Sequence, residues 1–296
     1  MAFVRVGVID VGANTLRLLV ADSDGSNVVP VQTERVRLGL GEYVECEGRI
    51  PASAIAASVK ATRRAVERAR KLGCVLVRTV ITSPGRQASN GLELASALAA
   101  VPGANARVLD AEEEAQLGYA GALAGERVES ESVAVCDVGG GSVQLVVGTR
   151  DSGPVWSRSL DIGSLRLAQR HRHDDAAGVE RLAAMRADAE RAFAGIAPPL
   201  PQAALATGGT ARALRKLVGT TLGPGELAVA IEMLAERSPK RLAKEFGFTR
   251  ARAQTLPAGA ILLAEAQRRV GVPFAVARGG VREGVALAAL AEAAAA

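Results

Sequence analysis

Aromatic side chains are scarce: Trp, Tyr and Phe make up 3% of the 296 residues. Single-stranded nucleic acid is usually held by stacking bases on such rings, so nucleic-acid binding of that kind is not the main business of this chain. Cysteines are few as well. Cys46, Cys74 and Cys136 show no C-x-x-C spacing, which argues against disulfides or a zinc cluster and fits a reduced cytoplasm. The only histidines are His171 and His173. His173-Asp174 resembles the dipeptide of metal phosphohydrolases, but two histidines do not assemble that site. A Ser-His-Asp hydrolase is poorly supported too, because no G-x-S-x-G elbow occurs. The chain starts directly on a strand pattern without a signal peptide. Apolar stretches such as residues 258–264 are too short for a bilayer, so no membrane association is expected. Lysine is limited to five positions although the net charge is +5. The cationic charge is therefore mostly arginine, which suits bidentate contact with phosphate oxygens. Because the chain is also rich in Ala, Gly and Leu, only individually placed arginines carry weight.

What is present is one pattern written twice. Val6-Gly7-Val8-Ile9-Asp10-Val11-Gly12-Ala13-Asn14-Thr15 reappears as Val133-Ala134-Val135-Cys136-Asp137-Val138-Gly139-Gly140-Gly141-Ser142, and a second apolar run follows each copy. A β-branched run, an aspartate, a small-residue turn and another apolar run predict a β-hairpin. Small residues let backbone N–H groups approach an anion, and Thr15 and Ser142 add hydroxyls. A single copy would be an ordinary tight hairpin; two matched copies point to a duplicated domain holding a phosphate between its halves. Neither copy is a Walker A loop, since no Gly-Lys-Ser/Thr follows. Neither is a Rossmann fingerprint, since a strand and not a helix follows the glycines.

The chain length suits two domains, and strands mixed with helices predict an α/β fold. The expected boundaries are 1–123 and 124–296, with a polar junction at 125–132 and a last helix that packs back on the first domain. In the first half the pattern predicts a hairpin over 3–9 and 16–21 and a strand over 28–38. A polar loop over 41–48 and a helix over 51–72 follow. Next come a strand over 75–81, a helix over 91–98, a short strand over 106–109 and a helix from Asp110 to Ala122. The second half repeats the scheme with a hairpin over 133–149 and a strand over 154–160. A helix from Ser164, a helix over 178–193 and a strand over 203–206 follow. The remainder is mainly helical, apart from a strand near 274–277.

Three further segments carry chemistry. Asp110 with Glu113 reads as a capping box, and Glu112 and Glu113 suit a helix start. Glu114 shares a helix face with Leu117 and Gly121, so it points inward, where a carboxylate can orient or deprotonate water. Residues 79–90 follow a buried strand; Arg86 can neutralise an oxyanion, while the simpler reading is a polar turn with Asn90 as helix cap. Thr207-Gly208-Gly209-Thr210 places bare N–H groups at a helix start, which serves either an anion or close helix–strand packing. Arg166, Arg170, His171, Arg172 and His173 form a basic cluster, most simply a solvated helix face.

Together these residues resemble the exopolyphosphatase / guanosine pentaphosphate phosphohydrolase (Ppx/GppA) family of the actin–Hsp70–sugar-kinase superfamily. The resemblance runs in order through Asp10–Thr15, Thr82–Asn90, Glu113-Glu114-Ala115, Asp137–Ser142, Gly163 with Arg166-Leu167, Gly208-Gly209-Thr210 and Arg282-Glu283-Gly284. It implies two actin-like (ribonuclease H-like) α/β domains with an interdomain cleft. The implied activity is hydrolysis of a terminal phosphoanhydride in inorganic polyphosphate or in guanosine pentaphosphate (pppGpp). It further implies Glu114 as catalytic base, with Arg86 and Gln144 in the catalytic set. Gly12, Asn14, Thr15, Gly139, Gly140, Gly141, Ser142, Arg166, Gly208, Gly209 and Thr210 would contact phosphate. Asp10 and Asp137 would hold Mg²⁺, or Mn²⁺. A homodimer is expected from the resemblance alone. One departure stands out: the family's D-x-G-G-G-S-x-E ends here in Gln144, which keeps hydrogen bonding but loses the charge. That motivates a second expectation, a catalytically weak polyphosphate- or nucleotide-binding regulatory module. The chain stops short of the HD-like C-terminal domain of longer members, so a preference for short polyphosphate chains is expected.

Overall fold

In the computed structural model, residues 3–172 and 178–295 are described, with side chains up to residue 292; His173 and Asp174 lie outside the described residues. The chain forms two compact units. One is Met1–Gly125 together with Gly279–Ala296, and the other is Glu126–Arg278.

The first unit opens with β1 (Val4–Val11), β2 (Thr15–Ser23) and β3 (Val28–Arg37). Two helices follow, α1 (Leu40–Glu47) and α2 (Ala52–Lys71), then β4 (Leu76–Ile81), α3 (Ser83–Gln87), α4 (Gly91–Ala99), β5 (Ala106–Val108) and α5 (Ala111–Ala124). The sheet order is β3-β2-β1-β4-β5. The two pairings on the β3 side of β1 are antiparallel, and the two on the β5 side are parallel.

The second unit repeats this order. It has β6 (Val133–Val138), β7 (Val143–Thr149), β8 (Gly153–Leu160), α6 (Ser164–Arg170), α7 (Val179–Ala192), β9 (Ala203–Thr207) and α8 (Gly208–Val218). After these come β10 (Thr221–Leu222), α9 (Pro224–Glu236), α10 (Pro239–Phe246), α11 (Arg250–Val270) and β11 (Phe274–Val276). Its sheet runs β10-β11-β9-β6-β7-β8. Read from β8, it matches the first sheet strand for strand, with β10 added at the far edge. The duplication seen in the two hairpins is thus a duplication of whole sheets, and the α/β, actin-like class expected from the sequence holds.

The chain then returns to the first unit as α12 (Val281–Ala295). This return explains why β1 carries buried apolar side chains on both of its faces. Ile9 and Val11 pack with Val66, Leu94 and Leu98 on the α2 and α4 side. Val6 and Val8 pack with Val285 and Ala286 of α12 on the other. The two-residue alternation of a strand places Asp10 on the α12 face with Val6 and Val8. The α12 backbone comes directly against α5: a side chain on Gly284 would collide with the Leu117 carbonyl, and one on Gly121 with the Gly280 carbonyl.

Three local expectations change. Residues 41–48, read as a loop, form most of α1, whose flanking Gly39 and Gly48 are both left-handed (φ 67° and 69°). These glycines bound a helix, Gly39 before it and Gly48 at its end; they do not mark irregular chain. The turn after β4 contains α3. Asn90 stands at the start of α4, but its side chain does not cap the helix. It bonds the Ile50 backbone instead, accepting from Ile50 N and donating to Ile50 O, each at 2.9 Å. The Asp110–Glu113 capping box is present as expected.

Candidate active site

Both hairpins turn in the same way. Gly12 N–H donates to Thr15 O at 3.1 Å, and Gly139 N–H donates to Ser142 O at 3.0 Å. The carbonyls of each turn are also claimed. At the first, Leu38 and Gly39 N–H donate to Asn14 O, and Gly41 N–H donates to Ala13 O. At the second, Ser164 N–H donates to Gly139 O, while Leu165 and Arg166 N–H donate to Gly140 O. In both units the donors come from the start of the helix after the third strand, where N–H groups lack intrahelical acceptors. Engaging the loop carbonyls removes the dipoles that would repel an anion. What an anion would meet at such a turn is then backbone N–H and not carbonyl oxygen.

Around Asp10 the first unit gathers charge. Asp10 faces Arg17 across the β1–β2 register. Burial pushes its carboxyl above the ordinary carboxylate range; Arg17 and Arg282 pull it back, and Glu283 adds to the rise. Arg282 and Glu283 form a loose pair at 3.8 Å, both largely shielded. Thr82 N–H donates to Val11 O at 3.2 Å. Asn14 Oδ1 is buried without a hydrogen-bond partner, a cost that a ligand donor would relieve.

Glu114, in the first turn of α5, is buried as expected. Arg86 Nη2 lies 2.7 Å from its Oε2, and Arg86 Nη1 donates to Leu109 O at 2.8 Å. The side chains are 18% and 9% exposed. Arg86, read from sequence as an oxyanion partner, is thus engaged with the carboxylate and anchored to the backbone.

In the second unit Asp137 faces Gln144 across the β6–β7 register. Gln144 is buried, and its amide donates to Ser142 Oγ at 2.8 Å and to Ser159 Oγ at 3.3 Å. Asp137 also pairs with Thr207 across β6–β9, which brings the third glycine loop to it. Gly208 has φ 84°, and any side chain there would collide with Asp137 Oδ1. Glycine is required on both counts. Thr210 Oγ1 donates to Val138 O at 2.9 Å and is buried, so this hydroxyl ties the loop to β6 and is not presented to a ligand. Gly209 and Arg166 stand at the starts of α8 and α6. The second unit therefore unites Asp137, Gly139–Ser142, Gln144, Arg166 and Gly208–Thr210. The first sets Asp10 beside Gly12–Thr15 and holds Arg86 against Glu114.

Arg17, Arg282 and Glu283 were not in the set drawn from sequence. Arg17 could have been found, because it occupies in the first hairpin the position of Gln144 in the second. Arg282-Glu283-Gly284 stands out in the sequence only as a motif of the resemblance, with no role attached to it.

Among the described residues no group of three or more His, Cys, Asp or Glu could enclose a metal. Mg²⁺ does not need one; it commonly binds one or two carboxylates, with waters and substrate phosphates completing the shell. Asp10 and Asp137, each half-buried beside a phosphate-type turn, fit that donor chemistry.

The Ppx/GppA phosphatase family model matches residues 19–293.

The chain belongs to the Ppx/GppA phosphatase family. It is 31% identical over 301 residues to an uncharacterised Streptomyces coelicolor protein, covering 96% of this chain and 89% of that one. It is 29% identical over 282 residues to exopolyphosphatase 1 of Mycobacterium tuberculosis, covering 90% and 81% respectively. Among solved structures, an exopolyphosphatase from Cytophaga hutchinsonii superposes with TM-score 0.87 at 21% identity, covering 97% of this chain and 98% of that one. That last likeness concerns the fold. Among the described residues of this Ppx/GppA chain, no helix is long and apolar enough to cross a membrane.

Proposed function

We propose that this Ppx/GppA chain is an exopolyphosphatase-type hydrolase that releases terminal phosphate from inorganic polyphosphate, with pppGpp as a second candidate substrate. The observation that carries the reading is the twice-built turn, closed by Gly12 N–H to Thr15 O and Gly139 N–H to Ser142 O, with its carbonyls engaged by helix-start N–H groups. Such turns can serve phosphate, and relatives named exopolyphosphatase support a polymer as the substrate.

In this reading Glu114 orients the attacking water and takes its proton. Arg86 keeps the carboxylate turned inward. N–H groups of each turn, with Asn14 and Thr15 at the first and Ser142 at the second, are the donors for charge on phosphoryl oxygens. Asp10 in its unit and Asp137 in its own are each a carboxylate that would be offered to Mg²⁺, which when bound would supply charge neutralisation on the phosphates. Gly208 keeps space at Asp137, and Thr210 fixes the third loop.

The test is phosphate release from polyphosphate and from pppGpp in parallel, with Mg²⁺ and with Mn²⁺, for the parent protein and Glu114→Gln. The variant should lose about 10²- to 10⁴-fold in kcat with little change in substrate binding. Undiminished kcat would remove Glu114 from the role of base.

Gln144 favours a second reading, a weakly active polyphosphate-binding regulatory module. A neutral amide held by two serine hydroxyls faces Asp137. A protein that binds polyphosphate without turning it over, and gains turnover as Gln144→Glu, would support that reading over the first.

A further inference from the structure

A cleft of about 300 Å³ opens in the second unit where α7, α9 and α11 meet. Its α9 wall is Leu227, Ala228 and Ile231, and its α11 wall includes Ile261 and Ala264. These residues recur at three- and four-residue intervals, so each helix gives the cleft one face. Leu227, Ile231 and Ile261 are buried, and the two alanines leave room between the helices. The volume stands at the lower end of the range for small-molecule sites. No lining residue belongs to the phosphate-type turns or to the third glycine loop, so the cleft is a separate place.

Gln267 of α11 also lines the cleft. It is 5% exposed, yet among the described residues its side-chain amide has no hydrogen-bond partner. A buried amide without a partner weakens the fold, and one that borders a cleft can be matched by what enters it. The ionic groups nearby do not take that role. Glu265 is buried and bonded by Arg268 and Arg269, and Arg268 also reaches Glu190 at 3.9 Å. Arg186 is exposed, so water screens its charge. In the lining Arg186 and Arg268 stand against Glu190 and Glu265, which leaves the cleft without a net charge to select an ion.

We propose that this cleft binds a small neutral molecule with an apolar body and an amide-type edge, a donor beside an acceptor. The Gln267 amide carries two donor hydrogens and an acceptor oxygen. A ligand carboxylate would satisfy only its donors, an ammonium only its acceptor and a hydrocarbon neither. A carboxamide or lactam satisfies both while its body covers Leu227, Ile231 and Ile261. Such a ligand is chemically unlike a phosphate chain, so the site stands whether or not polyphosphate is the substrate.

The experiment follows the Leu and Ile methyl NMR signals of the full chain during titration with four probes of similar shape: benzamide, benzoate, benzylamine and toluene. Benzamide should move the methyls of Leu227, Ile231 and Ile261 saturably, with a Kd of about 1 mM. Ile9 and Leu18, in the core of the first unit, should stay in place. Benzoate and benzylamine should bind about tenfold more weakly than benzamide. Ala228→Trp fills the cleft from an exposed position and should abolish the shifts. Gln267→Leu keeps the bulk and removes the amide. Benzamide should then bind about tenfold more weakly and toluene at least as well as before, and the variant should melt no lower than the parent. Equal benzamide affinity in the parent and Gln267→Leu, tighter binding of either ion, or no saturable shift at these methyls would overturn the proposal. So would a lower melting temperature of Gln267→Leu, because the amide would then be matched inside the fold.

Discussion

The two hairpins share a backbone and differ in what stands opposite the aspartate. In the first, Asp10 faces Arg17 and lies within the electrostatic reach of Arg282 and Glu283. In the second, Asp137 faces Gln144, which is held by two serine hydroxyls. Turn geometry, turn hydrogen bond and helix-start donors are common to both; the charge is not. Duplication has kept the part that any phosphate requires, a set of backbone groups, and has let the register partner of the acid diverge. The register partner of the acid is a cation in one half and a neutral amide in the other. Loop sequence follows the same division, Ala13-Asn14 in one and Gly140-Gly141 in the other.

The sharpest way to break this comparison is at Gly208, for which the Asp10 side relies on different neighbours. Gly208→Val would drive a branched side chain into the Asp137 carboxylate from a left-handed backbone. Phosphate release should be lost, and stability should fall by about 1–3 kcal/mol, read by denaturant titration. A variant with parental activity would mean that Asp137 plays no part. Next in size is Gln144→Glu, which gives the second hairpin a charge at the position where the first has one. Mg²⁺ should then bind more tightly, by about tenfold, as measured calorimetrically without substrate. Affinity equal to the parent's would show that Asp137 and residue 144 do not share an ion.

Arg17→Gln makes the opposite exchange and gives Asp10 a neutral register partner, as Asp137 has in Gln144. It removes one of two cations near Asp10, so stability should drop by about 1 kcal/mol. The matched exchange Gln144→Asn should cost less if charge balance matters only in the first hairpin. The smallest effect uses the thiols as reporters. Cys46 is exposed, Cys74 is partly covered and Cys136 is buried. Burial pushes the Cys74 thiol up to about 11, so at pH 8 about one molecule in a thousand carries the reactive thiolate there. Iodoacetamide should label Cys46 first and Cys74 slowly, faster as pH rises toward 11. Cys136, whose thiol is also raised by burial, should react only when the second unit opens. Prompt labelling of Cys136 in the native protein would contradict its placement on β6.

Much of this was legible in the chain. The hairpins announce themselves through Asp10–Thr15 and Asp137–Ser142, because strand, acid and turn are local. Asp110 and Glu113 declare the start of α5 for the same reason, and Glu114 reads as inward from its one-turn and two-turn neighbours. Local pattern misled at α1, where Gly41 and Gly48 look like loop residues. Gly41 is in fact buried within the helix, and Gly48 ends it. The two-residue β10 is too short for any periodicity. Pairings between distant segments left no trace. Nothing in the spacing of Arg86 and Glu114 says that they form an ion pair, and Asn90 bonds to Ile50 instead of its own helix. Arg282 and Glu283 reach Asp10 only because α12 comes back to β1.

That return has a consequence for biosynthesis. The second unit is one unbroken stretch, Glu126–Arg278, and can condense as soon as it has been translated. The first is split around it. Until residues 281–290 emerge from the ribosome, Val6 and Val8 have no cover from Val285 and Ala286, and the α5 surface at Gly121 has nothing against it. The portion made first is therefore completed last, and during that interval its half-sheet is the segment a chaperone would hold.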